Sequence, residues 1–189
     1  MSRVRHELSH AVLEAILGQP LDLKPTAQSY ALWEHFADVM AITMKQYLGK
    51  DTKNWLIAEN LIRPNAGNAK AWRNLADPGN AFSITTSSGA PLSDGCLRHM
   101  SALTPGIDRY MKSTIPSFAF YKATVASGRP CWELTSKLWF KAISSITYAE
   151  REMEFADFAK KVLVFAKDKE FNVENIVRQA WTDVGINAP

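Results

Sequence analysis

His6 and His10 stand four residues apart in the stretch HELSH, with Glu7 beside the first. On a helix, side chains at i and i+4 share a face, so two imidazoles at this spacing can converge on one metal ion. Glu7 is turned about 100° round the axis from His6, given the 3.6-residue period. A carboxylate there can take a proton from a water on the metal without being a ligand itself. That division of labour is what an H-E-x-x-H stretch encodes mechanically. The plainer alternative is a pair of histidines on a solvated helix face.

A hydrolytic metal site of this kind takes three protein ligands and keeps a fourth position open. Glu34, in LWEHFADV, is an acidic residue on a largely apolar helix, and Asp38 follows one turn later on the same face. Glu34 can ligate, while Asp38 can accept the other ring N–H of a ligand histidine and fix its tautomer. The alternative is two surface acids on an amphipathic helix. His35 points away from Glu34 and is expected to be exposed or satisfied in the core. Tyr30, one turn before Glu34, could face the metal, but core packing is the expectation for it.

These residues need helices to position them. Val4, Leu8, Ala11, Val12, Ala15 and Ile16 recur at helical spacing, after Ser2 as a candidate N-cap and before Gly18 and Pro20 as stops. A second helix is expected over about 27–48, with Tyr30, Trp33, Phe36, Ala37, Met40, Met44 and Tyr47 apolar and Gly49 at its end. Short helical pieces are expected at Trp55–Ile62 and Ala69–Leu75, bounded by Pro64 and Asp77–Pro78. Residues 83–105, with TTSSGAPLSDG at their centre, read as a surface loop. Four further helices are expected near 113–126, 131–145, 149–167 and 173–184, with Val162, Val164 and Phe165 among the core residues. The fold class is mainly α, a compact helical bundle over residues 1–189 as a single domain, with the metal site between the first two long helices.

Composition narrows the function. The chain has 189 residues, 47% hydrophobic and 22% charged, with a formal net charge of +3. That balance is ordinary for a globular domain and gives no sign of a nucleic-acid or membrane partner. Neither a secretory leader nor an apolar run of membrane-spanning length is legible, so a cytoplasmic location is expected unless the chain is a fragment. Cys96 and Cys131 are too few for a disulfide framework and read as buried or free thiols.

HELSHAV resembles the zinc helix of the thermolysin-like neutral metallopeptidases, and LWEHFADV resembles their second zinc helix. NWLIAENLI, AWRNLADP and IPSFAFYKA look like later blocks of the same domain, in the same order. SKLWFKAISSIT and IVRQAWTDVGI look like its C-terminal helices. The resemblance spans nearly the whole chain. It implies the helical C-terminal domain, with zinc held by His6, His10 and Glu34, Glu7 as general base and Asp38 behind a ligand histidine. Arg73 matches the substrate-carbonyl-binding arginine, and a structural role tying a helix to a loop can coexist with that. Peptides or proteins are the implied substrates.

Three departures accompany it. Only MSRVR precedes His6, so the β-rich N-terminal part of the cleft, with its peptide-pairing edge strand, would have to come from a partner chain or be absent; His6 would fall in the first, fraying turn. Tyr110 stands where the family has an oxyanion-stabilising histidine. The family's other oxyanion tyrosine has no counterpart in LDLKPTAQ. A tyrosine O–H can donate to an oxyanion but carries no charge, and loss of one such donor costs about 100- to 1000-fold in rate. At the positions of the double-calcium cluster stand Lys45, Asn54 and Leu56, with only Glu59 still acidic, so no calcium is expected. The leading expectation is a zinc endopeptidase, with activity reduced or lost. The alternative is a non-catalytic zinc-binding or interaction module of the same fold, completed by another chain.

Overall fold

A computed structural model describes residues 2–18, 27–59 and 69–187, with no side chain described before Val4. Six helices carry the fold among these residues: α1 (Ser2–Leu17), α2 (Gln28–Gly49), α3 (Arg109–Ser127), α4 (Thr135–Ser144), α5 (Phe155–Ala166) and α6 (Glu174–Thr182). Two antiparallel ribbons lie between α2 and α3. One pairs β1 (Leu56–Ile57) with β2 (Arg73–Asn74), the other β3 (Ser83–Thr85) with β4 (Pro91–Ser93). No helix among the described residues is long and apolar enough to cross a membrane.

The central element is α2, against which α1, α3, α4 and α5 all pack. Every residue from Ala31 to Val39 is buried, so this helix is covered on all sides and its acids and histidine go inside with the rest. It ends where Gly49 is followed by Lys50 in the left-handed region. α1 reverses the sequence expectation. His6, Ser9, Leu13 and Leu17 face inward, whereas Val4, Leu8 and Val12 are 71%, 56% and 43% exposed. The reason is electrostatic: His6 is drawn in by a buried carboxylate of α2, and that sets the rotation of the helix. Because α1 begins at Ser2, Ser2 lies within the helix and His6 falls just past its first turn.

Residues 55–58 and 69–75, described parts of the two short helical pieces expected after α2, are extended or turn instead of helical, and a 3-10 turn is seen only at Glu59. Trp55 and Ile57 spend their carbonyls across the ribbon on the N–H groups of Leu75 and Trp72. Ala58 has φ 61°, which breaks any helical run. Residues 60–62 and Pro64 lie outside the described residues, as do Pro20 and most of LDLKPTAQ. The expected loop 83–105 holds the second ribbon and a 3-10 turn at Met100–Ala102.

α3 starts four residues before its expected position because Asp108 caps it, its carboxylate accepting from the Tyr110 N–H at 2.8 Å. This places Arg109 and Tyr110 in a first helical turn instead of a loop. Gly128 closes α3 at φ 66°, a left-handed C-terminal position that favours glycine. α4 and α5 are shorter than expected, since 3-10 turns at Cys131–Glu133 and Tyr148–Glu150 take part of their spans, and α6 ends at Thr182. Val162 is buried and Phe165 half-buried, but Val164 faces solvent.

The core is aromatic. Phe36 meets Phe158 with ring centres 4.7 Å apart, Trp139 stacks on Trp181 at 5.7 Å, and Phe120 abuts Trp139 at 5.3 Å. His35 is fully buried among them. Trp139 Nε1 donates to its Nε2 at 3.1 Å, so Nδ1 carries the proton and donates to Ser117 Oγ at 2.9 Å. Cys96 and Cys131 are free and buried, and burial pushes the Cys96 thiol up to about 12.

Burial holds His35 far below its ordinary value, at about 3, against a small opposing pull from Asp38. The unfolded chain takes up this proton near pH 6.5 and the folded chain does not, so stability is full above that pH and is lost as pH falls towards the folded value. The expected slope from this residue is about 1.4 kcal/mol per pH unit between pH 6 and 4. Urea melts of the parent and of His35→Gln should differ by that slope; parallel stability–pH curves would contradict it.

Candidate metal centre

Four side chains named from the sequence meet at the contact of α1 with α2. His6 Nε2 lies 3.1 Å from His10 Nε2 and 3.3 Å from Glu34 Oε2, and His10 Nε2 lies 3.7 Å from the same oxygen. A four-coordinate ion with ligands at about 2.0–2.1 Å spaces them about 3.4 Å apart, so this triad has the separation that one ion requires. Glu34 Oε2 is buried and has no hydrogen-bond partner. An orphaned carboxylate oxygen aimed at two imidazole nitrogens fits a cation. The set His6, His10 and Glu34 could therefore hold a metal ion.

Asp38 fixes the tautomer. Its Oδ1 is 2.8 Å from His6 Nδ1, so that nitrogen donates and Nε2 presents its lone pair to the triad. Asp38 is fully buried and is clamped on its other side by Arg73, with Nε to Oδ2 at 2.6 Å and Nη2 to Oδ1 at 2.7 Å. Burial works against the charge of Asp38, but Arg73 and His6 outweigh it and hold the carboxyl well below its usual range. Burial likewise opposes charge on Glu34 and His6. Contacts with His10 and His6 still hold Glu34 down at about 2, and contacts with Asp38 and Glu34 raise His6 to about 9, so with no ion bound Nε2 carries a proton at neutral pH, one that an ion on that nitrogen would replace.

Beside the triad is a cavity of about 440 Å³. Glu7 and His6 of α1, Arg73 of β2 and Tyr110 of α3 line it together with apolar Ile57, Trp72, Phe82 and Met111. Glu7 is exposed on the wall, one step round the helix from His6. Tyr30 is half-buried and stacks on Arg109. Arg109 escaped the sequence reading: it bonds Glu34 Oε1 at 3.1 Å and Tyr110 Oη at 2.9 Å. Its signal was the Asp108 cap, which turns a presumed loop into a helix start.

A second charge cluster stands where calcium was considered. The Lys45 ammonium donates to Asn54 Oδ1 at 2.6 Å and to the Leu56 carbonyl at 2.7 Å, and pairs with Glu59 Oε1 at 2.6 Å. The oxygens gather round an organic cation built into α2.

The helical fold around this donor set matches a known type of domain. The thermolysin metallopeptidase alpha-helical domain matches residues 22–186, and the chain belongs to that family. Over 188 residues it is 30% identical to an extracellular metalloprotease of Pectobacterium carotovorum subsp. carotovorum, covering 97% of this chain and 52% of that protein. It is 28% identical over 189 residues to protease PrtS of Photorhabdus sp., covering 97% and 49% respectively. Among solved structures, the precursor of protealysin, a metalloproteinase from Serratia proteamaculans, superposes with a TM-score of 0.84 at 28% identity. That match covers 98% of this chain and 57% of that one. The chain thus spans about half the length of the relatives it matches.

The cytoplasmic location expected above is overturned by the extracellular relative. The physical reason is plain: the first residues of a chain that spans half its relatives carry no information about a leader.

Arg73 pairs with a carboxylate that has no exposure to water, which makes its loss expensive. Arg73→Met should destabilise the chain by about 3–5 kcal/mol, as expected when a buried ion pair loses one partner. Chemical denaturation checks this, and a loss below 1 kcal/mol would show that Asp38 is not held as described.

Proposed function

We propose that this chain is the zinc-binding, catalytic domain of a peptide-hydrolysing metallopeptidase. One observation carries the reading: three lone-pair atoms of His6, His10 and Glu34 converge at ion-ligand separations beside a cavity that Glu7 also lines. Two imidazoles and one carboxylate suit zinc among the divalent ions. Zinc bound there would make water acidic and polarise a carbonyl oxygen. Glu7 takes the proton from the attacking water and passes it to the leaving amine. Asp38 holds His6 in its ligating tautomer. Arg73, at the cavity wall, donates to the substrate carbonyl as well as clamping Asp38. Tyr110 donates its hydroxyl proton to the developing oxyanion. The apolar lining from Ile57, Phe82 and Met111 suits a hydrophobic side chain of the peptide.

Calcium has no place in this reading. The Lys45 ammonium supplies the positive charge that its oxygen cluster needs. Residues 1–189 act as one domain, and the exposed stripe of Val4, Leu8 and Val12 is the face on which the rest of a longer protein, or a partner chain, packs. That same stripe favours a second reading, in which the domain binds zinc and acts as an interaction module without hydrolysis.

Three measurements test these readings. Purified chain should hold about one zinc per molecule, lost in His6→Ala. Glu7→Gln should keep the zinc and lower peptide cleavage by about 100- to 10,000-fold. Equal cleavage before and after that change would sink the hydrolytic mechanism, and zinc without any cleavage in the parent would favour the module. Millimolar calcium should leave the thermal midpoint unchanged, because a ligand stabilises only a state that binds it. A rise with calcium would contradict the Lys45 account.

A further inference from the structure

Arg109 opens α3, and its guanidinium makes two divergent hydrogen bonds. Nε donates to Glu34 Oε1 at 3.1 Å, and Nη2 donates to Tyr110 Oη at 2.9 Å. Its charge centre sits 4.2 Å from the Tyr30 ring centre and 4.6 Å from that of Tyr110. The side chain is three-quarters covered.

We infer that Arg109 is a positioning residue that couples the third metal ligand to the oxyanion-side phenol. It confines Glu34 to one-oxygen ligation and aims the Tyr110 hydroxyl proton at the cleft. The inference rests on the zinc reading above.

The first half follows from the carboxylate. With Oε1 engaged by Arg109, Glu34 can present only Oε2 to His6 and His10, and Oε2 is the buried oxygen without a hydrogen-bond partner. A carboxylate not so held can rotate and offer both oxygens, closing the position an incoming water needs. The second half follows from the phenol. A tyrosine oxygen accepts through its lone pairs and donates through one O–H. Once a cation donates to that oxygen, the O–H becomes the stronger donor. Tyr110 lines the cavity, so its proton is presented where an oxyanion would form. The neutral phenol thereby gains, through Arg109, the positive charge it lacks on its own. Arginine suits the task because its planar fork sends donors two ways while its faces pack on aromatic rings. A lysine at 109 is a compact point charge that lacks the planar fork spanning Glu34 and Tyr110 and the flat faces that pack on the Tyr30 and Tyr110 rings.

The test uses the whole chain and variants Arg109→Met, Arg109→Lys and Tyr110→Phe. Zinc affinity is read by competition with a chromogenic chelator, ligand geometry by the visible spectrum of the cobalt(II) form. Tetrahedral-mimic binding is read with a peptide phosphonamidate. Arg109→Met should weaken zinc by about 10- to 100-fold and shift the cobalt spectrum. It should also weaken the phosphonamidate beyond what the zinc loss explains when measured at saturating zinc. In the Tyr110→Phe background it should keep its effect on zinc and lose its effect on the phosphonamidate. Arg109→Lys should restore less than half of either effect on a logarithmic scale. A folded Arg109→Met with parental zinc affinity and cobalt spectrum overturns the inference. If the methionine variant does not fold, a folded Arg109→Lys with parental values in all three readouts overturns it equally. A parent chain that binds no zinc fails the functional reading first and takes this inference with it, so the two failures are distinct.

Discussion

The fully buried carboxylate of Asp38 is the constraint on which the rest of the structure turns. An ionised group taken out of water is tolerated only when its oxygens are met by charged donors in good geometry. Here His6 comes from α1 and Arg73 from β2, both onto one side chain of α2. Three elements distant in sequence are thereby set in register by one charge. The rotation of α1 follows from it, as does the approach of the first ribbon to the cavity. The apolar stripe of α1 is left facing outward because His6 must face inward, and a charge-assisted contact to a buried acid outweighs the burial of a few half-covered aliphatic groups.

A second regularity surrounds it. Three acids at and around the site each have a cation from a neighbouring element: Arg73 for Asp38, Arg109 for Glu34 and Lys45 for Glu59. The three differ in what they leave over. Asp38 spends both oxygens on donors. Glu34 spends one on Arg109 and keeps the other for the histidines. The Lys45 ammonium draws the Leu56 carbonyl and the Asn54 amide towards α2 along with Glu59, and so anchors the ribbon that carries Ile57 to the cavity wall. The site is thus neither a bare ligand set nor a generic salt-bridge cluster, since only one carboxylate oxygen is left facing nitrogen lone pairs.

Much of this was legible in the sequence, and the gaps have physical causes. Helical spacing puts His6 with His10 on one face and Glu34 with Asp38 on another; that the two faces meet is what the family resemblance implied. The buried face of α1 was misread because apolar periodicity ranks residues by transfer energy and cannot see a charge partner on another helix. Val164 was misplaced for a related reason: in VLVF four consecutive apolar residues compete for one face, and only Val162 and Leu163 reach the core fully. The strands at Leu56–Ile57 and Arg73–Asn74 are two residues long, too short for any period to register. Arg109 was missed because its role depends on the start of α3, which the Asp108 cap decides.

The pairing of Arg109 with Tyr110 bears on how a site of this kind can tolerate a neutral residue where the family resemblance places a histidine. A protonated imidazole combines two properties, a directed N–H and a positive charge. Here they are divided between neighbours. Tyr110 supplies the directed proton, and Arg109 supplies the charge one bond behind it, at 2.9 Å from the phenol oxygen. The division has a consequence that one imidazole would not have. The charge on Arg109 does not titrate in the neutral range, because a guanidinium stays protonated; burial opposes its charge, but Tyr110, Tyr30 and Glu34 outweigh that and raise it. The positive charge behind the Tyr110 phenol is therefore constant with pH, and the same guanidinium is tied to Glu34. On the proposed reading, donor strength on one side of the cleft and ligand geometry on the other are then set by a single side chain.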